Sequence, residues 1–300
     1  MIKTLKNHSV KVISLIIALC LVCIALCSCS KFYFESDSSQ SIDEYLAVHF
    51  LDVGQGDSIF IEMPDSKTML IDAGENMLGK SIMNYINTLG YGKIDYLVAT
   101  HPHADHIGSM AYIVRNMDIG EIYMPKVSTT TKTYENLLES IAGKGLKVKS
   151  AKAGVSIIDT ENFNVDIVAP ATIKEDNLNN CSAVLKMTYG DTSFLFTGDA
   201  EEEELSEIDA DISANVLKVG HHGSSTSTDK DFIKRVCPEI AVISLGADNK
   251  YGHPHKSTLK HLKNAGAEIY RTDGDGTVKI TSDGENISVE TGLISMEKDD

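Results

Sequence analysis

An α/β fold is what the amino-acid sequence predicts. Short apolar runs rich in strand formers alternate with stretches of helical spacing from about residue 45 to residue 292. No repeat interrupts that alternation, and no linker is long enough to divide it. A chain of 300 residues, 42% of them apolar, can bury a full core, and one domain of about 250 residues is in range for this class.

The elements follow in order. YLAVHFLDV (45–53) and SIFIEM (58–63) read as strands joined by the Gly-rich GQGD, and TMLIDAG holds a third that ends at Asp72. GKSIMNYINTLG has helical spacing and stops at Gly90. Tyr96, Leu97, Val98 and Ala99 make a buried strand, and HIGSMAYIVRNM then reads as a helix. The strand EIYMP and the helix TYENLLESIAGKG come next, and Leu146 to Ala169 reads as short strands with turns. SAVLKMTYGDTSFLFTG is a hairpin turning at Gly190-Asp191. A helix around Glu201–Ile208, strand NVLKVG, helix KDFIKRV, strand EIAVISLG and helix STLKHLKNAG follow. The tail from Glu268 reads as short strands.

Ahead of this domain, Lys3, Lys6 and Lys11 precede VISLIIALCLVCIALCSC, an apolar run of signal-peptide length. Leu26-Cys27-Ser28-Cys29 resembles a bacterial lipobox with Cys29 as the modified residue; Cys27 fits less well, because Leu26 would then fill the small-residue position. A lipid on Cys29 would tether the domain outside the membrane; an uncleaved anchor and a plain secretory signal are the alternatives. The expected organisation is a targeting segment at 1–29, a polar tether at 30–44, the folded domain at 45–293 and an acidic tail at 294–300. Only Cys181 and Cys237 fall in the domain, too few for a disulfide scaffold, and Cys181 is read as a small buried hydrophobe.

The formal net charge is -16. An acidic surface argues against a broad electrostatic footprint for nucleic acid, which needs Lys and Arg to displace counterions. It leaves open a metal site that grips one or two phosphates. Lys126, Lys132, Lys218, Lys250 and Lys256 are the candidates to line a basic groove.

The chemistry concentrates in VATHPHADHIG (98–108), where histidine nitrogens and carboxylate oxygens crowd the end of a buried strand. Residues two apart on an extended chain point the same way, so His101 and His103 can converge on one ion. Asp105 and His106 lie beyond a turn and reach a neighbouring one, and two metals about 3.5–4 Å apart fit this layout. The bland alternative is a histidine-rich surface loop. FLFTGDA repeats the pattern with Asp199 at a strand end, where a plain helix cap is the competing reading. VLKVGHHGS repeats it again with His221 and His222. Adjacent residues there point to different sides, so one is expected to bind metal, with His221 favoured, and His222 to touch substrate or protonate a leaving group.

THPHADHIG resembles the signature of the metallo-β-lactamase fold, a superfamily of mostly dinuclear metal hydrolases. VHFLDVGQGDSIFIE (48–62), NNCSAVLKMTYGDTSFLFTGDA (179–200), LKVGHHGSSTS (217–227) and YGHPH (251–255) resemble the hydrolase domain of ComEC-type DNA-uptake proteins. The likeness spans roughly Tyr45 to Gly292. It implies an αββα sandwich, two mixed sheets between helices, and two divalent ions, Zn²⁺ or Mn²⁺, bridged by Asp199. It also implies a metal-activated water that attacks a phosphodiester, with Asp105, His222 and His253 as catalytic candidates. The substrate would be single-stranded DNA or, by likeness to surface phosphorylcholine esterases, a wall polymer. A surface-anchored binding module without turnover is the non-enzyme alternative, and no protein partner can be inferred.

The chain departs from the wider superfamily at one point. No histidine occurs between His106 and His221, where many members supply another ligand to the first metal. Asn180 and Ser182 stand there instead, so the His101/His103 site is expected to be weaker or wetter, which suits Mn²⁺ as well as Zn²⁺. Asp72 reads as a hydrogen-bonding support for the histidine loop. Asp57 and Gln55 read as the cleft floor, with Gly54 and Gly56 allowing close backbone approach. The run EEEEL (201–205) reads as a solvated helix face.

Overall fold

The computed structural model describes residues 45–298, so the expected targeting segment, Cys29 and the expected tether at 30–44 lie outside the described residues. The described part falls in one compact unit. Its first sheet contains β1 (Leu46–Phe50), β2 (Ile59–Glu62), β3 (Thr68–Ile71), β4 (Lys93–Val98), β5 (Asp118–Met124) and β6 (Val148–Ser150), and is completed by β14 (Thr277–Ser282) and β15 (Ile287–Leu293). The strand order is β15-β14-β1-β2-β3-β4-β5-β6. The second sheet contains β7 (Val155–Asp159), β8 (Phe163–Ala169), β9 (Val184–Tyr189), β10 (Thr192–Phe196), β11 (Val216–Lys218), β12 (Ile240–Ile243) and β13 (Glu268–Arg271). Its order is β13-β12-β11-β10-β9-β8-β7. Both sheets are mixed: β3 to β6 run parallel in one, and β10 to β13 in the other.

Side-chain alternation builds the layers. Val48 and Phe50 of β1, Phe194 and Phe196 of β10 and Val216 of β11 enter the core between the sheets. Phe60 and Leu70 point the other way, into a layer with Ile82 and Ile86 of α1 (Gly79–Thr88) and Leu137 and Ile141 of α4 (Lys132–Gly143). Leu195 and Leu217 likewise meet Leu205 of α5 (Glu202–Ser206), Phe232 of α6 (Lys230–Val236) and Leu262 of α7 (Lys256–Ala265). These strands are covered on both faces, which is why they read as unbroken apolar runs. The αββα sandwich expected from the resemblance is the fold found.

Two local expectations change. The helix predicted over HIGSMAYIVRNM is two helices, α2 (Ala104–Ile107) and α3 (Met110–Asn116). Gly108 lies against backbone: a Cβ there would come within 2.4 Å of Ala104 O and Asn76 N. Ser109 then starts the second helix, its hydroxyl donating to Glu75 O (2.5 Å) and accepting from Leu78 N (2.8 Å). In the tail, Thr272–Asp275 forms a helical turn, α8, where the sequence predicts only strands. Met296, past the expected domain end at 293, is buried against the first sheet's helix layer, and its N–H donates to Asp52 O (2.7 Å). No helix among the described residues is long and apolar enough to cross a membrane.

Candidate metal centre

The parallel strands deliver the functional side chains. Asp72 follows β3, His101 follows β4, Asp199 follows β10, His221 and His222 follow β11, and His253 lies in the loop after β12. All sit beyond carboxyl ends of strands, the usual place for a site in an open α/β sheet.

Asp72 is the hub of the histidine loop. It is fully buried in the left-handed region (φ 59°), which aspartate tolerates better than most residues. Its carboxylate accepts from Thr100 N (2.8 Å) and Thr100 Oγ1 (2.6 Å), and His106 Nδ1 lies 2.7 Å from Oδ2. That bond places the proton on Nδ1 and turns Nε2 of His106 toward Asp199.

His221 and His222 break the expectation that neighbours on a strand diverge. Both are left-handed, φ 49° and 53°, and the resulting tight turn swings both rings to Asp199. They reach different oxygens. His222 Nε2 is 3.6 Å from Asp199 Oδ1, beside His106 Nε2 at 3.2 Å from the same atom. His221 Nε2 is 3.8 Å from Asp199 Oδ2, the atom that also faces His101 Nε2 at 3.8 Å. His103 Nδ1 sits 3.0 Å from His101 Nε2. Asp105 Oδ2 joins the Oδ1 side, 3.3 Å from His222 Nε2. The tighter grouping is thus Asp105, His106, Asp199 and His222, whose ligand atoms all lie within 4.8 Å of one another. The geometry brings His222 rather than His221 into it.

The electrostatics fit a cation. Burial opposes charge on His106, yet Asp199, Asp72 and Asp105 outweigh it and hold the ring's proton well above its usual range. Burial also opposes charge on His222, but Asp199 and Asp57 push it up to about 10. His101 goes the other way, well below its ordinary value, through burial and the neighbouring His106. His106 Nε2, His222 Nε2 and Asp199 Oδ1 are all buried without a hydrogen-bond partner among the described residues. The 3.2 Å approach of His106 to Asp199 lacks hydrogen-bond alignment. Three orphaned atoms aimed at one point are the donor set a divalent ion completes.

The other expected residues fall as follows. Ser182 Oγ accepts from Asp199 N (3.1 Å) and fixes the loop. Asn180 turns away from the cleft, its amide engaged by Glu201 N (3.0 Å) and Glu203 Oε2 (3.3 Å), while Asn179 lines the cleft instead. Gly56 has the expected close approach, since a Cβ there would lie 2.3 Å from Asp105 O, whereas Gly54 has open space and needs glycine for its φ of +70°. His253 stands at the rim. Burial, with His222 and His255, pushes it down to about 4, which leaves a general acid without its proton at neutral pH.

Three residues lie elsewhere than the sequence suggests, and one of them is Glu204, buried although EEEEL reads as a solvated face. Lys218, a candidate for a groove, is fully buried, its ammonium 2.7 Å from Asp57 Oδ2 and 3.0 Å from Val219 O. Asp57 Oδ1 in turn lies 3.3 Å from His222 Nδ1, which faces Ser244 O at 3.0 Å. Glu201, expected to be solvated, lies 3.3 Å from His221 Nδ1. A lone lysine inside an otherwise apolar strand is the available signal for Lys218; Glu201 offers none. The cleft over the cluster has a volume of about 370 Å³. A groove of about 700 Å³ on another face, lined by Asp166, Lys186 and Asp211, contains no histidine.

ComE operon protein 3 of Bacillus subtilis (strain 168) is 31% identical over 252 residues, covering 77% of this chain and 32% of that protein. Competence protein ComA of Neisseria gonorrhoeae is 27% identical over 239 residues, covering 78% and 32%. The chain therefore spans about a third of the length of these curated relatives. Among solved structures, CmlA, a diiron beta-hydroxylase from Streptomyces venezuelae, aligns with a TM-score of 0.50 at 13% identity, over 75% of this chain and 52% of that one, a likeness of fold alone. The sequence pattern of the Metallo-beta-lactamase superfamily matches residues 51–247, the stretch that carries the histidine loop, Asp199 and the paired histidines, and the chain belongs to that superfamily.

Proposed function

We propose that this chain is a metal-dependent phosphodiesterase acting on single-stranded nucleic acid. One observation carries the reading: the two oxygens of Asp199 each face their own set of imidazole nitrogens, the layout of a two-ion site with a shared carboxylate. Asp105, His106, His222 and Asp199 Oδ1 would hold one ion, and His101, His103, His221 and Asp199 Oδ2 the other. On this assignment His221 occupies the role of the histidine absent between His106 and His221. Zn²⁺ and Mn²⁺ both suit a set of imidazoles and carboxylates. When bound, such ions polarise a phosphoryl oxygen and lower the pKa of water.

The protein's own contribution is positioning. Asp72 and Ser244 hold the Nδ1 atoms of His106 and His222, and Ser182 holds the backbone of Asp199. The relatives named as competence proteins support a nucleic-acid substrate. The net charge of -16 favours a second reading, a phosphodiester esterase acting on a wall polymer or phosphorylcholine, because it lacks a broad phosphate-binding footprint. Anchoring through a lipid on Cys29 is proposed with either reading, from the sequence alone.

The test is hydrolysis of bis-p-nitrophenyl phosphate and of single-stranded DNA, with Mn²⁺, with Zn²⁺ and with chelator. Metal-dependent cleavage of both supports the first reading, and cleavage of the small ester alone moves it to the second. No turnover at full metal occupancy would overturn both and favour a binding module.

A further inference from the structure

The cleft has one aromatic side chain that the metal chemistry does not use. Tyr251 lines it, yet 65% of the residue is exposed. It sits near the tip of the loop between β12 and α7, and that loop is tied down. The tie is Asn249, whose Nδ2 donates to Gly246 O (3.0 Å) and His253 O (2.8 Å) while its Oδ1 accepts from His253 N (2.9 Å). Below the tie, His255 N donates to Gly223 O (2.9 Å), and His255 Nδ1 accepts from Ser225 N (2.9 Å). The loop is thus pinned to the turn that carries His221 and His222.

The rings are stacked toward the metal cluster. Tyr251 lies over His253 with centroids 5.6 Å apart and planes 23° from parallel. His253 meets His221 at 5.7 Å and 73°. One side of the tyrosine is therefore occupied by an imidazole, and the exposed remainder belongs to the same cleft as Asp199. A single flat ring with one covered face suits a planar ring stacked on the other. A quaternary ammonium is bound best by several aromatic faces arranged as a cage, and Tyr251 is the cleft's one ring of the Phe, Tyr or Trp type among the described residues.

We propose that Tyr251, backed by His253, is a stacking platform for the unpaired nucleobase next to the scissile phosphate. Every base offers a π face, so the platform selects nucleic acid over other phosphodiesters without reading its sequence. This inference rests on the phosphodiesterase reading and names the substrate group that flanks the phosphate.

The test is titration calorimetry on the full chain loaded with Mn²⁺, using thymidine 5′-phosphate, deoxyribose 5-phosphate and phosphorylcholine. These are monoesters that differ in what flanks the phosphate. Thymidine 5′-phosphate is expected to bind at least about fivefold tighter than deoxyribose 5-phosphate, from the usual strength of base–aromatic stacking. Tyr251→Ala should erase that difference and Tyr251→Phe should keep it. Equal affinities in the unsubstituted chain, or a difference that survives Tyr251→Ala, overturn the platform. Phosphorylcholine affinity that depends on Tyr251, without base discrimination, overturns it in favour of a cation subsite. Hydrolysis of bis-p-nitrophenyl phosphate by the unsubstituted chain is followed alongside. If it proceeds while base discrimination fails, the platform falls and the phosphodiesterase reading stands.

Discussion

The two sides of Asp199 are built differently. On the Oδ1 side, His106 and His222 are fully buried, and each has its Nδ1 held by a buried partner, Asp72 or Ser244. On the Oδ2 side, His221 is partly exposed, and its Nδ1 faces Glu201 and Thr226 at 3.3 and 3.4 Å near the surface. His101 is buried, but among the described residues its Nδ1 meets only the Thr100 hydroxyl, at 3.1 Å. Support from behind a histidine fixes its tautomer and orientation, so the first side is preorganised and the second is left adjustable. A two-ion hydrolase can use that asymmetry, with one ion held firmly and the other free to follow the substrate.

The most severe way to break the comparison is to remove what the two sides share. Asp199→Ala should release both ions and lower hydrolysis by more than the about 10–100-fold typical of losing an outer partner. Metal content by mass spectrometry and turnover check this; retention of two tightly bound ions would show that the sides do not depend on the shared carboxylate. Lys218→Met attacks only the Oδ1 side. It removes the ammonium from buried Asp57 and leaves it only the imidazole of His222 at 3.3 Å, which should destabilise the chain by up to about 3–5 kcal/mol. Urea denaturation measures this, and a loss under about 1 kcal/mol would mean that Asp57 takes up a proton or water cheaply. Asp72→Asn is milder. It keeps the shape and weakens the bond to His106, so affinity for one ion should fall about 10–100-fold. Glu201→Gln, the matching change on the open side, should cost less, since its partner His221 is partly exposed. Calorimetric titration with Mn²⁺ resolves the two, and equal losses would remove the asymmetry.

How much of this is legible in the sequence follows the same division. Strands buried on both faces read as apolar runs, so the residues at their ends, Asp72, His101 and Asp199, can be placed from the hydrophobic pattern alone. The hairpin at Gly190-Asp191 is equally plain, because its glycine takes the positive φ (53°) the turn requires. Backbone conformation inside a loop is not legible. Two successive left-handed residues bring His221 and His222 to one carboxylate, and nothing in GHHGS requires that geometry. Lys218 is misleading because charge in a sequence suggests solvent, whereas its partner Asp57 lies 161 positions away and comes beside it only through the fold. Asn180 and Asn179 exchange places for a similar reason: a short 3₁₀ turn, Leu178–Cys181, decides which amide faces the cleft.

The gentlest probe of the asymmetry is pH. Without metal, His106 and His222 hold their protons above the usual imidazole range, because the carboxylates around them outweigh burial. His101 and His103 are pushed below it, chiefly by burial, and are neutral at pH 7. An ion entering the Oδ1 side must therefore expel protons from His106 and His222, and one entering the Oδ2 side meets His101 and His103 already neutral. Affinity of the Oδ1 side should rise with pH across the neutral range, by up to about tenfold per unit for each proton released. The gain should continue until pH approaches 10, where His222 loses its proton unaided. Affinity of the Oδ2 side should rise less over the same interval, because His101 and His103 have no proton to give up. Linkage gives the metal-free protein the opposite trend: the part of its stability that comes from protonated His222 is full below the ordinary value of 6.5 and is lost as pH rises through about 10. Mn²⁺ titrations at about pH 6.5, 7.5 and 8.5 should thus show one binding step moving more steeply than the other. Two steps that move together would mean that the halves share their protons and act as one site.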